Sequence, residues 1–380
     1  MSIYLDNAAT TRVCPAAAEA AIKAMTELYG NPSSPHRMGR EAKAMLDRAR
    51  GSVAKALGCG AGEVYFTSGG TEGDNWALRC GAYYNRRRGK HILSSAAEHP
   101  AVLRTLDALE SQGYTVTRLA PERDGSVSAG AVVGALREDT CLVSLMLVNN
   151  ETGAVTDVAA VAQAVHERCP GALVHTDAVQ AFLKIPFSPA ALGVDLLTIS
   201  GHKVHAPKGV GALYVRRGLN LPPLLYGGGQ EEGRRSGTEA LPQIAAFAAA
   251  VEDAFPSLTE DRAQMAALRA TTAERLMAEN PGLLLLGGDR PSPQLLSLSL
   301  PGWRSEVLMN FLEARDIFVS KSSACKRGGR SHVLQAMGLK SDVVDGALRV
   351  SLSRFTTREE LEAFCLALRQ ARQTLRSSIH

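Results

Sequence analysis

The sequence has little of what would mark a membrane, secreted or nucleic-acid-binding chain. No apolar run reaches the ~18 residues of a membrane helix, and no basic segment with an apolar stretch follows Met1. Neither a span nor a signal peptide is expected, and a cytoplasmic location follows as the expectation. The seven cysteines, at positions 14, 59, 80, 141, 169, 325 and 365, are odd in number and include no C-x-x-C pair. That pattern speaks for a reducing compartment and against a disulfide framework, a redox dithiol or a cysteine-held metal. Charge of one sign is missing too: 42 Lys+Arg against 38 Asp+Glu leave +4, and no basic-aromatic motif is visible, so no nucleic-acid partner is expected. Aromatics make up only 5% of the chain, yet 45% is hydrophobic, which excludes a disordered protein. The 35 glycines follow no G-X-Y period, which excludes a collagen-like one.

What is present is an alternation of short β-rich runs and amphipathic helical stretches over 380 residues, a length that suits two domains of ~150 residues or more. Strands are expected at Glu63 to Thr67, His91 to Ser95, Tyr114 to Leu119, Cys141 to Val148, Leu173 to Thr176 and Leu196 to Ser200. Several are too continuously apolar to have a wet face and are expected at the centre of a parallel sheet. The run Gly209 to Val215 follows Ser200 too closely for a helical crossover, so it is expected to pair antiparallel or at an edge. A helix is expected from Thr71 to Arg88, its closing cations (Arg86, Arg87, Arg88, Lys90) stabilising the helix C-terminus. A long Ala/Leu/Arg helix, Thr259 to Glu279, ends at the breaker Asn280-Pro281-Gly282, ahead of a strand near Leu283 to Leu286. The domain boundary is placed near 258.

Chemistry gathers at strand ends. Leu197 to Ser200 runs into Gly201-His202-Lys203, a turn that presents one lysine, suited to act as an amine nucleophile. Asp177, 26 residues earlier, ends another apolar strand, and the two can meet at the carboxyl edge of one sheet. A lysine and a carboxylate are what pyridoxal phosphate (PLP) requires, the first to form an imine and the second to keep the ring nitrogen protonated. Between a strand and a helix, Ser68-Gly69-Gly70-Thr71-Glu72 opens onto helix amides, as a phosphate seat would.

With these residues in place, the chain resembles a cysteine desulfurase of the NifS/IscS group, in the class V aminotransferase family of fold-type I PLP enzymes. The matching stretches include Tyr4-Leu-Asp-Asn-Ala-Ala-Thr-Thr11, Gly30-Asn-Pro-Ser-Ser-Pro-His36, Thr67-Ser-Gly-Gly-Thr-Glu-Gly-Asp-Asn75, Glu98-His99 and Val148-Asn-Asn-Glu-Thr-Gly153. Further along stand His175-Thr-Asp-Ala-Val-Gln180, Ser200-Gly-His-Lys203, Pro207-Lys-Gly-Val-Gly211, Arg235-Ser-Gly-Thr238, Ser323-Ala-Cys325 and Arg354-Phe-Thr-Thr357. The resemblance implies an α/β fold with a mainly parallel seven-stranded sheet flanked by helices (13–258) and a smaller α/β domain (1–12 and 259–380) carrying a mobile catalytic-cysteine loop. It implies that Lys203 holds PLP, Asp177 pairs with the pyridinium nitrogen, Gln180 bonds the ring hydroxyl and His99 stacks on the ring and shuttles protons. Asn150 would lie beside cofactor and substrate, and Gly70, Thr71, Ser200 and His202 would bind the phosphate, with Thr238 reaching in from a second subunit of a homodimer. Arg349 corresponds to the arginine that grips the substrate carboxylate, work its planar fork suits.

Cys325 is the nucleophile candidate. Four cations stand nearby in Lys321 to Arg330, favouring thiolate, and small residues flank it. By resemblance it would take sulfur from L-cysteine as a persulfide, release alanine and pass the sulfur to an iron-sulfur scaffold or a thiolation protein. Only five residues separate Cys325 from Ser331, fewer than is typical of IscS-like members, and Lys326, Arg327 and Arg330 suggest an acidic docking partner. Other class V PLP activities, such as selenocysteine lyase or an aminotransferase, are the alternatives, along with a weakly active assembly protein that depends on a partner.

Overall fold

A computed structural model describes residues 2–321 and 329–375. The first strand, β1 (Ile3–Tyr4), precedes seven that build the large sheet: β2 (Val64–Thr67), β3 (His91–Ser95), β4 (Thr115–Leu119), β5 (Thr140–Ser144), β6 (Leu173–Asp177), β7 (Leu196–Ser200) and β8 (Gly211–Val215). Their order is β2-β8-β7-β6-β5-β3-β4. From β4 to β7 all pairings are parallel, and β8 runs antiparallel to both β7 and β2. The expected antiparallel run is therefore present, but between two strands rather than at the edge, because the earlier strand β2 takes the outer place. This insertion sets Gly211 between Thr67 and Ser200.

Two expected boundaries move. The run Cys141 to Val148 leaves the ladder after Ser144: the Leu145 and Leu147 amides bond the carbonyls of His175 and Asp177, and the chain turns at Asn149. The helix expected to Arg88 is Gly70–Tyr84, stopped where Asn85 Nδ2 donates to Cys141 O (2.8 Å) and Gly171 O (2.7 Å). The cations that follow act from outside the helix, Arg86 on the carbonyl of Tyr83 (2.7 Å) and Arg88 on that of Thr140 (3.2 Å).

The long helix is Leu258–Glu279, closed by buried Asn280, whose Nδ2 donates to Leu276 O. Beyond it lie β9 (Leu284–Leu286), β10 (Leu295–Ser299), β11 (Ile317–Phe318), β12 (Ser320–Lys321) and β13 (Ala347–Ser351). The order β12-β13-β10-β9 forms an antiparallel sheet, and β1 pairs parallel with β11. One apolar core fills the large sheet and its helices; another gathers the long helix, Arg358–Thr374 and the small sheet. Leu5 belongs to the second core and Ala8 to the first, so residues 6 and 7 carry the chain between them. Asn7 is stitched there, its side chain donating to Ser351 O at 2.9 Å.

Candidate active site

The carboxyl ends of β2, β6 and β7 share one edge of the large sheet, with Thr67, Asp177 and Ser200 at their tips. Lys203 ends a single 3-10 turn directly after β7. Its Nζ donates to the carbonyls of Ala8 (2.5 Å) and Ala9 (2.7 Å). Gln180 Nε2 reaches the same Ala8 carbonyl at 2.9 Å, and the amide of Ala8 is held by Ser351 Oγ at 2.8 Å. The N-terminal strand and its extension thus brace the lysine, a contribution carried by main-chain atoms.

Asp177 is 6% exposed and receives the Val179 amide on Oδ1 at 2.9 Å. Burial raises its pKa, opposed by His99, that amide and Lys203, so these three groups lie within each other's fields. A buried carboxyl with one main-chain donor on Oδ1 is a seat for a cation or a proton. His99 caps the helix Pro100–Ser111, its Nδ1 accepting the Ala101 amide at 3.1 Å, which leaves Nε2 to carry the hydrogen of the neutral ring. Burial lowers its pKa, with Lys203 and His332 acting in the same direction. Beneath Asp177 lie further buried carboxyls, Asp74 and Glu98, both raised by burial and by Asp177. His175, between Ser144 Oγ (2.8 Å) and Thr198 Oγ1 (3.1 Å), is pushed down to about 3 by burial and stays neutral.

The turn Gly69-Gly70 enters the helix Gly70–Tyr84 with no side chain on its first amides, leaving those donors open to an anion. Gly69 has φ of 150°, outside the range L side chains adopt, and a Cβ on Gly70 would meet Val179 Cγ2 at 2.9 Å. Ser200 Oγ is buried without a partner, and Thr71 is exposed at the same turn. His202 Nδ1 stands 3.3 Å from Thr10 Oγ1 and is pushed down to about 4, by burial and then by Lys203 and Lys208. Thr238 is exposed, three positions beyond Arg235, which pairs with Glu72 of the same helix at 2.8 Å.

Arg349 projects from β13, 2% exposed, and donates to Asn150 O (2.9 Å) and Asp6 Oδ1 (2.8 Å), while its Nε has no partner. Asn150 is thus joined to Arg349 through its main chain. Cys325 lies outside the described residues, as do Lys326 and Arg327. Arg330, named above among the cations suggesting an acidic docking partner, is engaged with Asp345 through two bonds of 2.7 Å, since a planar fork facing a carboxylate pairs in parallel. The sequence reading assigned no roles to Asp6, Ala8, Asn149, Glu151, Ser331 or Ser351. Asp6 and Ala8 fall within the matching stretch Tyr4 to Thr11 and Asn149 and Glu151 within Val148 to Gly153, whereas Ser331 and Ser351 lie outside every such stretch.

The aminotransferase class-V profile matches residues 3–364. A protein named cysteine desulfurase IscS from Methanosarcina thermophila is 40% identical over 99% of this chain and 93% of its own length. A cysteine desulfurase from Nostoc sp. is 42% identical over 95% of this chain and 90% of its own. Among solved structures, a NifS-like protein superposes with a TM-score of 0.93 at 39% identity, covering 99% of this chain and all of its own. SspA, solved in complex with cysteine, gives 0.83 at 32% identity over 94% of this chain and all of its own. With this likeness spanning nearly its whole length, the chain belongs to the class-V aminotransferase family, in its NifS/IscS group of cysteine desulfurases.

Proposed function

We propose that the chain is a PLP-dependent enzyme that converts L-cysteine to L-alanine and collects the sulfur as a persulfide on Cys325. The observation that carries this reading is the convergence of Lys203, Asp177 and His99 at one sheet edge, together with a buried Arg349 whose Nε is unpartnered. The relative solved with cysteine supports that substrate.

The residues present fit PLP. The open amides after Gly69, the glycine cradle and the orphaned Ser200 Oγ match a phosphate, with Thr71 and His202 beside them. Asp177, raised by burial, would hold a proton on the ring nitrogen, Gln180 would face the ring hydroxyl, and Lys203 would hold the aldehyde carbon. When bound, PLP supplies an electron-withdrawing ring that stabilises negative charge at the substrate α-carbon. Lys203 Nζ is the base that moves the α-proton, and His99, neutral with its hydrogen on Nε2, serves further transfers. Arg349 orients the substrate carboxylate, with Asn150 alongside. The Cys325 thiolate forms an S–S bond with the substrate sulfur as the Cβ–S bond breaks, and the remaining carbon skeleton takes up protons and leaves as alanine.

The wider setting of the reading is a homodimer, in which exposed Thr238 completes the phosphate site of the second subunit, and a sulfur acceptor such as an iron-sulfur scaffold or a thiolation protein. A large domain (13–258) and a small one (1–12 and 259–380) complete the reading, with Ala8 and Leu295 of the small one packed into the core of the large one. Among the described residues six cysteines are free, five of them buried, which suits the cytoplasm. The test is alanine and sulfide production from L-cysteine by the PLP-loaded protein with a thiol reductant, beside Cys325→Ser. Equal amounts of both products, lost in the variant, are expected; equal turnover by the variant would overturn the role of Cys325.

A further inference from the structure

Glu151 belongs to neither the cofactor cradle nor the substrate contacts proposed above, yet it is 3% exposed and stands between two groups that matter. Its turn is pinned from within: Asn149 Oδ1 accepts the amides of Glu151 (2.9 Å) and Thr152 (3.0 Å), and Asn149 Nδ2 donates to Ala97 O (3.0 Å). On one side Arg349 Nη1 grips the carbonyl of Asn150. On the other, Ser331 Oγ donates to Glu151 Oε2 while accepting the Leu334 amide at 3.0 Å, the cap of the helix His332–Ala336. Ser331 stands six positions after Cys325.

The charged groups around this turn are all engaged. Arg330 pairs with Asp345, His332 Nε2 bonds the carbonyl of Glu98, and Asp6 pairs with Arg349 from the N-terminal side. Arg349 is the cation whose charge reaches Glu151.

We infer that Glu151 is a positioning residue for the carboxylate site, joining Arg349 to the helix cap that follows Cys325 and setting how much of the Arg349 charge is open to a substrate carboxylate. The inference rests on the proposal that Arg349 binds that carboxylate. An ionised Glu151 sets a second negative charge, beside that of Asp6, in the field of the guanidinium that the substrate carboxylate would approach; a protonated one withdraws that charge and still bonds Ser331. Burial pushes Glu151 up to about 7, against the Ser331 bond and the Arg349 charge, so both states are populated near neutrality.

The experiment uses the PLP-loaded enzyme, wild type, Glu151→Gln and Glu151→Ala, and follows binding of L-alanine through the visible absorbance of the cofactor between about pH 6 and about pH 8. Alanine carries the same carboxylate and has no thiol to titrate. The wild-type Kd is expected to rise about tenfold relative to Glu151→Gln across this range, the two agreeing at the acid end. Glu151→Ala, which releases Ser331, is expected to bind more weakly at every pH. Parallel wild-type and Glu151→Gln curves would overturn the inference, as would wild-type affinity in Glu151→Ala. An Arg349→Gln variant with unchanged affinity would sink the reading of Arg349 instead, and wild-type turnover of cysteine checks the activity separately.

Discussion

Arg349 and Asp6 lie 343 residues apart in sequence and meet at 2.8 Å, the guanidinium buried and the carboxylate at its open side. The pair ties the strand that carries the carboxylate-binding candidate to the N-terminal segment that braces Lys203. Two halves of the site are therefore set against each other by one ion pair and the carbonyls beside it.

Removing Asp6 leaves the Arg349 charge held by the Asn150 carbonyl alone. Asp6→Ala is expected to cost about 3 kcal/mol of stability, as losing one partner of a buried pair does, and to raise KM for cysteine more than it lowers kcat. Urea unfolding and steady-state kinetics check both. An unchanged KM would show that Asp6 does not orient Arg349.

Lys203→Ala is expected to abolish turnover and the visible absorbance of covalently held PLP while the chain remains folded. The Ala9 carbonyl loses its donor and the Ala8 carbonyl keeps only Gln180, which loosens the hold on the N-terminal segment, a cost of about 1–3 kcal/mol. Retained absorbance in the purified variant would defeat the assignment of Lys203.

Gly211 begins β8 in a place with no room: a Cβ would lie 2.6 Å from Ile199 O and 2.8 Å from Gly69 Cα. Both neighbours are main chain and cannot swing aside, so Gly211→Ala is expected to destabilise by about 1–3 kcal/mol. The displaced Gly69 turn should weaken PLP binding at the same time. Equilibrium dialysis against PLP reads the second effect, and wild-type affinity would show that the cradle absorbs the shift elsewhere.

Two buried groups predict pH effects of opposite sign. Glu151, pushed up to about 7, keeps its proton in the folded chain at a pH where the unfolded chain, with a carboxyl near ~4.3, has lost it. Its stabilising contribution is full below ~4.3 and is lost as pH rises from there to about 7, so Glu151→Gln should gain on the wild type over that window, by up to ~1.4 kcal/mol per pH unit, and no further above it. His175, pushed down to about 3, refuses a proton that the unfolded chain accepts below ~6.5. His175→Asn should therefore gain on the wild type as pH falls from ~6.5 towards about 3. Chemical denaturation over a pH series measures both, and slopes parallel to the wild type would remove the buried groups as the cause.

The central strands, the glycine turn and the lysine after β7 were legible because local chemistry specifies them. Apolar runs with no wet face make buried strands, and a strand, a Gly-Gly joint and a helix in succession make an anion seat wherever they occur. The motif order extended this to a family, and with it to Asp177, Gln180 and Arg349. The helix end at Tyr84 was not legible, because it depends on Asn85 finding carbonyls of Cys141 and Gly171 far along the chain.

By itself the sequence determined most of the element types, which depend on period and side-chain type, and through its resemblance to a family it pointed to the class of reaction and to the residues proposed to serve it. Only the tertiary structure decided that β8 lies inside the sheet, that Ala8 and Ala9 hold Lys203, and that Arg330 is committed to Asp345. It also decided that Glu151 is buried, bonded to Ser331 and next in the chain to the carbonyl that Arg349 holds, where burial pushes its carboxyl up. The reason is physical: main-chain carbonyls carry no code in the sequence, and the cost of charging a carboxyl depends on what the fold packs around it.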